Sequence, residues 1–190
     1  MKIVFASHNH KKAEEIRSIL PAGYELLTLQ DLNLNGEIPE DEPTIEGNSA
    51  FKARWVFERF GLPCFADDTG LEVNALNGAP GVHSARFAGP AKSDHANMDK
   101  LVASLEGQVD RSAQFKTVIT YINEQTELQF TGIVVGFIGK EKKGTDGFGY
   151  DPIFYPENEQ RTFAQMSLSE KNQFSHRARA MSQFLAYLSA

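Results

Sequence analysis

Four apolar residues, Ile3-Val4-Phe5-Ala6, run straight into the polar stretch Ser7-His8-Asn9-His10-Lys11-Lys12, and Ala13, Ile16, Ile19 and Leu20 follow at helical spacing. A short apolar run bounded by polar residues reads as a buried strand, and the recurrence after it reads as an amphipathic helix. Pro21 and Gly23 end that helix, and a second strand-like run covers Tyr24 to Leu29. Strand, helix and strand in this order predict a βαβ-type opening and an α/β fold.

The rest of the chain fits that class. Residues 35 to 44 are acidic and proline-bearing and read as a surface loop. Thr44 is placed to cap a helix reaching about Phe60, with Gly61 at its C′ position. Leu62 to Ala66 is a short apolar strand broken by Asp67-Asp68-Thr69-Gly70, and Leu71 to Leu76 alternates as a second, half-buried strand. Asn77 to Gly81 is a turn, and Ser93 starts a helix that carries Met98, Leu101, Val102 and Leu105. Arg111 to Asn123 and Thr126 to Ile138 form an expected antiparallel hairpin, so the sheet should be mixed. After a lysine-rich loop and the glycine-aromatic turn Gly147 to Pro152, Ser175 caps a terminal helix with Ala178, Met181, Leu185 and Leu188 on one stripe.

A length of 190 residues with 41% hydrophobic residues supports one substantial core, so residues 1–190 are expected to form a single domain. The formal net charge of −6 argues against a protein that grips long nucleic acid, which needs a basic face. Any polyanion bound here should be small. One cysteine, Cys64, rules out an intrachain disulfide. With no signal-peptide pattern and no apolar run near 18 residues, membrane roles are disfavoured and the cytoplasm is the expected compartment.

Four polar clusters can carry chemistry. Ser7 to Lys12 lies between a strand end and a helix start, where free N–H groups and lysines suit phosphate oxygens, although a plain helix cap by Ser7 or Asn9 explains the segment equally well. It has no P-loop glycines, and Gly139 to Gly144 is followed by Thr145-Asp146 instead of Lys-Ser/Thr, so a Walker NTPase is rejected. The second cluster is Glu40-Asp41-Glu42 with Asp67-Asp68: magnesium takes one or two carboxylates, and a further one can orient a water, while a solvated acidic loop and an Asx turn are the bland readings. Phe148-Gly149-Tyr150-Asp151 offers backbone access and aromatic faces to a planar ring, or is merely a turn on an aromatic core. Lys171 with Ser175-His176-Arg177 gathers donors at a helix start, which is also what a solvated N-terminus looks like. His83 and His95 have no partner spacing, and with no cysteine pair or His-x-x-x-His a zinc site is not expected. One nucleoside triphosphate accounts for all four clusters together.

The ordered motifs are Ser7-x-Asn9-x-x-Lys12, Glu40 to Thr44, Asn48-x-x-x-Lys52-Ala53 and Ala66-Asp67-Asp68-Thr69-Gly70-Leu71. Gly78 to Arg86, Gly147-Phe148-Gly149-Tyr150-Asp151-Pro152 and Glu170-Lys171-Asn172-x-x-Ser175-His176-Arg177 follow. In this series the whole chain resembles the inosine triphosphatase-like family of non-canonical purine NTP pyrophosphatases. The resemblance implies a long bent mixed sheet flanked by helices, with two lobes around a central cleft, and a homodimer. It implies hydrolysis of inosine, deoxyinosine or xanthosine triphosphate to the monophosphate and pyrophosphate. By the same resemblance Ser7, His8, Asn9, His10, Lys11, Lys12 and Lys52 bind the triphosphate, and Glu40 and Asp68 hold Mg²⁺, with Asp41 and Glu42 as alternatives to Glu40. Asp68 also aligns the attacking water, Thr69 contacts substrate, and Phe148, Gly149, Tyr150, Asp151, Lys171, His176 and Arg177 form the base pocket. Two alternatives are a Maf-type pyrophosphatase of different base preference and a non-enzymatic nucleotide- or RNA-binding module, which the acidic balance and the Asp67-Asp68 pair disfavour.

Overall fold

The computed structural model describes every residue except 35 and 37, together with all side chains but those of residues 10, 11, 15 and 18. The chain begins with β1 (Lys2–Phe5), α1 (His10–Ile19), β2 (Glu25–Thr28) and α2 (Ile45–Phe60). It continues through β3 (Cys64–Val73), β4 (Pro80–Gly81), α3 (Asp94–Ser104), β5 (Ser112–Ile122) and β6 (Glu127–Ile138). It closes with β7 (Phe154–Pro156), α4 (Leu168–Asn172) and α5 (His176–Leu188). The strands form a mixed sheet of order β2-β1-β3-β5-β6-β7, with β4 paired to β3. Pairing is parallel between β1 and both β2 and β3, and antiparallel at β3–β4 and β6–β7. This is the mixed α/β architecture expected from the sequence.

The residues group into two compact units. The first comprises Met1–Asp68, Val118–Thr131 and Ala180–Ala190, and the second Thr69–Thr117 and Gly132–Arg179. In the first unit β1 is covered on both faces, which is why it reads as a continuous apolar run. Side chains alternate across a strand. Ile3 and Phe5 accordingly join Ala13 and Ile16 of α1 and Phe184 of α5, while Val4 and Ala6 join Ala53 and Val56 of α2. Phe65 stacks on Phe5 with ring centroids 4.9 Å apart.

Capping sets the helix starts of this unit. Asn9 Oδ1 accepts from the Lys12 N–H at 3.1 Å, and Thr44 Oγ1 accepts from the Gly47 N–H at 2.9 Å. Gly61 closes α2 with φ of 62°, the left-handed conformation in which a glycine carries no Cβ penalty.

The second unit packs around Leu71 and Val73 of β3, Leu101 of α3, Phe115 of β5, Ile138 of β6 and Phe154 of β7. Phe115 meets Phe154 edge-on, centroids 4.7 Å apart, a favoured aromatic geometry.

Two local expectations are corrected. Asp67-Asp68-Thr69-Gly70 does not break the strand, since β3 runs unbroken from Cys64 to Val73. The aspartates tolerate a strand interior because lysines distant in sequence neutralise them. The alternating stretch to Leu76 is likewise shorter than expected: β3 ends at Val73, and Asn74–Leu76 form a 3-10 turn.

Candidate functional site

In the first unit, two lysines meet three carboxylates. Lys12, in the first turn of α1, donates from Nζ to Asp67 Oδ2 at 2.7 Å. Lys52, in the middle of α2, donates from Nζ to Glu40 Oε1 at 2.9 Å and to Asp68 Oδ1 at 3.1 Å. The Asp67, Asp68 and Lys52 side chains retain 7%, 14% and 10% of their exposure, whereas Glu40 keeps 42%. Solvent therefore reaches the group from the Glu40 side.

Burial pulls the Lys52 ammonium toward its neutral form, but Asp68, Glu40 and Asp67 more than offset this, and its pKa is raised. The Asp68 carboxyl is also pushed up, chiefly by desolvation and against the opposing pull of Lys52. A buried carboxylate of raised basicity is suited to accept a proton from water.

Ser7, His8 and Asn9 line a cavity of about 210 Å³ with Ala13, Thr28, Gln30 and Leu34. Ser7 Oγ accepts from the Asn9 N–H at 3.2 Å, and the His8 Nε2 lies 2.9 Å from the Gly36 carbonyl oxygen. The side chains of His10 and Lys11 lie outside the described residues. Asp41 and Glu42 are exposed, and among the described contacts Lys52 pairs with Glu40 in their place.

The second unit brings together the expected base-reading residues. Lys171 donates from Nζ to Asp151 Oδ2 at 2.5 Å, and the Phe148 N–H donates to the same oxygen at 3.0 Å. The backbone between them must fold tightly over that carboxylate. A Cβ on Gly147, whose φ is +80°, would lie 2.1 Å from Asp151 Oδ2, so only glycine fits. Phe148 is 63% exposed, with Lys171 Nζ 5.3 Å and the Arg177 guanidinium 5.9 Å from its ring centre.

Tyr150 takes a different place from its neighbours. Its ring is buried in the core and its hydroxyl donates to the Ser84 carbonyl at 2.8 Å, so the side chain presents no face for stacking. His176 opens α5, buried, its ring stacked on Phe115 at 4.8 Å.

One pairing and two contributors had no sequence signal. Asp67 is the partner of Lys12, a pairing 55 residues apart. Asp94 resembles any acidic first-turn helix residue, yet its Oδ2 accepts from the Gly149 N–H at 2.7 Å and so holds the turn. Thr117 resembles an ordinary strand residue, and its hydroxyl lies 2.6 Å from His176 Nδ1.

In the first unit, carboxylates paired with lysines have the chemistry that suits phosphate and a hard cation; in the second, a glycine-aromatic turn flanked by cations has the chemistry that suits a planar ring. A family model places the chain more closely: the Ham1 family model matches residues 3–187, and the chain belongs to that family. A curated relative from Flavobacterium johnsoniae, described as a dITP/XTP pyrophosphatase, is 53% identical over 190 residues, covering 100% of this chain and 99% of the relative. The solved Ham1 protein of Staphylococcus aureus superposes with a TM-score of 0.95 at 40% identity, covering 100% of this chain and 98% of that one. A HAM1 protein from Coxiella burnetii matches at a TM-score of 0.95 and 37% identity, with the same coverage.

Proposed function

We propose that this chain hydrolyses inosine-, deoxyinosine- and xanthosine-type triphosphates at the α–β bond, releasing the monophosphate and pyrophosphate. All 190 residues serve this one activity. The observation that carries the reading is the convergence of the Glu40 and Asp68 carboxylates on a single cation, Lys52 Nζ, in a chain that the Ham1 family model matches over residues 3–187.

The donor set fits magnesium, a hard cation that takes one or two carboxylates and leaves its remaining positions to water and phosphate oxygens. Glu40 and Asp68 would hold the ion, which supplies charge neutralisation on the phosphates when bound. Asp68 accepts the proton of the water that attacks the α-phosphorus. A new P–O bond forms from that water as the bond to the bridging oxygen of the β-phosphate breaks. Lys12 and Lys52 offset the charge on the departing pyrophosphate, and Ser7, His8, Asn9, His10 and Lys11 complete the phosphate loop, with Thr69 as a further substrate contact.

In the second unit the exposed Phe148 ring takes the base face, stacking being worth ~1–3 kcal/mol per base. Lys171, His176 and Arg177 present donors to a 6-oxo group, and Gly149, Tyr150 and Asp151 shape the pocket through their backbone and through the Asp151–Lys171 pair. A homodimer, acting in the cytoplasm on small nucleotides and not on long nucleic acid, completes the reading. Among the described residues no helix is long and apolar enough to cross a membrane.

Pyrophosphate release from a panel of natural and deaminated triphosphates, with and without Mg²⁺, tests the function. Release from inosine and xanthosine triphosphates that needs Mg²⁺ is expected. A profile favouring a pyrimidine triphosphate would point to a Maf-like preference, and no release from any of them would remove the activity.

A further inference from the structure

Three side chains of the second unit form a chain of hydrogen bonds: the Thr69 and Thr117 hydroxyl oxygens are 2.7 Å apart, and Thr117 Oγ1 lies 2.6 Å from His176 Nδ1. Thr117 is fully buried, His176 is 4% exposed, and Phe115 stacks on the imidazole with an interplanar angle of 19°. The ring can neither flip nor swing without losing that packing.

Each hydroxyl has one proton, so the chain runs in one of two directions. If Thr69 donates to Thr117 and Thr117 donates to Nδ1, the neutral ring carries its proton on Nε2. If Nδ1 donates to Thr117 and Thr117 donates to Thr69, a neutral ring has a bare Nε2. The first order makes Nε2 a donor, matched to a 6-oxo purine, and the second makes it an acceptor, matched to a 6-amino purine.

We propose that Thr117 is a positioning residue for purine selectivity, its hydroxyl accepting from Thr69 and donating to His176 Nδ1 so that Nε2–H faces the 6-oxo group. The inference rests on the base-reading role given above to His176. Thr117 touches no substrate; it acts by choosing which imidazole nitrogen holds the proton. A residue that merely filled the core would serve as well without its oxygen.

The test combines a ring spectrum with kinetics. Long-range ¹H–¹⁵N correlation of the His176 ring in the ligand-free wild-type protein should show Nε2 protonated and Nδ1 bare. Thr117→Val keeps the shape and removes the hydroxyl. It should mix the two tautomers and lower the ratio of kcat/KM for inosine triphosphate over ATP by about 3- to 10-fold, the range for one net hydrogen bond. Thr117→Ser should restore both. A protonated Nδ1 in the wild type overturns the proposal even if Thr117→Val fails to fold, as does an unchanged ratio in a folded Thr117→Val. The spectrum is recorded without substrate, so a wild type that hydrolysed no inosine triphosphate would defeat the function above while leaving the proton order separately measured.

Discussion

Lys52 donates from Nζ to Asp68 Oδ1 across 3.1 Å, with both side chains at least 86% shielded from solvent. The pair opposes two effects of burial: the lysine stays charged, and the carboxylate, short of full compensation, has its pKa raised by desolvation. A raised carboxyl pKa means that the folded state disfavours the ionised form, so this contribution to stability falls as pH rises through the carboxyl's range. Asp68→Asn should therefore leave the melting temperature at neutral pH unchanged or slightly higher. Turnover should drop by ~10²–10⁴-fold, the range for a lost general base. Near-wild-type turnover at saturating Mg²⁺ would remove Asp68 from the chemistry.

Removing the cation instead of the carboxylate should do the opposite to stability. Lys52→Met leaves Asp68 buried beside Glu40 without its ammonium, and breaking one side of a buried pair costs ~3–5 kcal/mol. Because a divalent cation can occupy the same carboxylates, millimolar Mg²⁺ should raise the melting temperature of Lys52→Met more than that of the wild type. Equal shifts would argue against Glu40 and Asp68 as the metal ligands.

The local signals were legible in sequence wherever one residue settles a local geometry. Asn9, Thr44 and Ser93 cap the helices that follow them, and Gly61 ends α2 in the left-handed region. The two-sided burial of β1 made its apolar run readable. Periodicity reads the Asp67-Asp68 pair as a strand break because it weighs a residue only against its neighbours, whereas these carboxylates are compensated by Lys12 and Lys52 from other elements. Tyr150 shares the same limit: its place beside Phe148 in sequence says nothing of its opposite exposure, 3% against 63%. The Thr69–Thr117–His176 chain joins residues 48 and 59 positions apart, beyond any local pattern.

The start of α4 provides a pH-dependent check away from the chemistry. Ser167 and Glu170 form a capping box, and the Ser167 N–H and hydroxyl, helped by Arg161, lower the Glu170 pKa from 4.5 to about 2. A depressed carboxyl pKa contributes stability above the unfolded value and loses it as pH falls from 4.5 toward about 2. Carbon-detected NMR titration should place the Glu170 midpoint near the bottom of that window, and Ser167→Ala should move it up. A wild-type midpoint at the ordinary glutamate value would show that the box does not form in solution.

On the proposed reading, base selectivity comes from Lys171 and Arg177 beside Phe148 and from His176 against Phe115. A 6-amino group facing Lys171, His176 and Arg177 sets donor against donor, and each mispaired buried group costs ~1–3 kcal/mol. Inosine and xanthosine triphosphates should thus exceed ATP in kcat/KM by about 30-fold to 10⁴-fold, on the order of two such mismatches. GTP, which keeps the 6-oxo group, should be the better tolerated of the two common purines. Arg177→Ala should narrow the gap between inosine triphosphate and ATP without abolishing turnover, and an unchanged ratio would remove Arg177 from base reading.

The bond that breaks is the most direct test of the whole account. If lysines grip the terminal phosphates and Asp68 serves the water that attacks the α-phosphorus, as proposed, phosphorus NMR of an inosine triphosphate digest should show inosine monophosphate and pyrophosphate appearing together from the first turnover, with no diphosphate intermediate. Inosine diphosphate with free orthophosphate would contradict it.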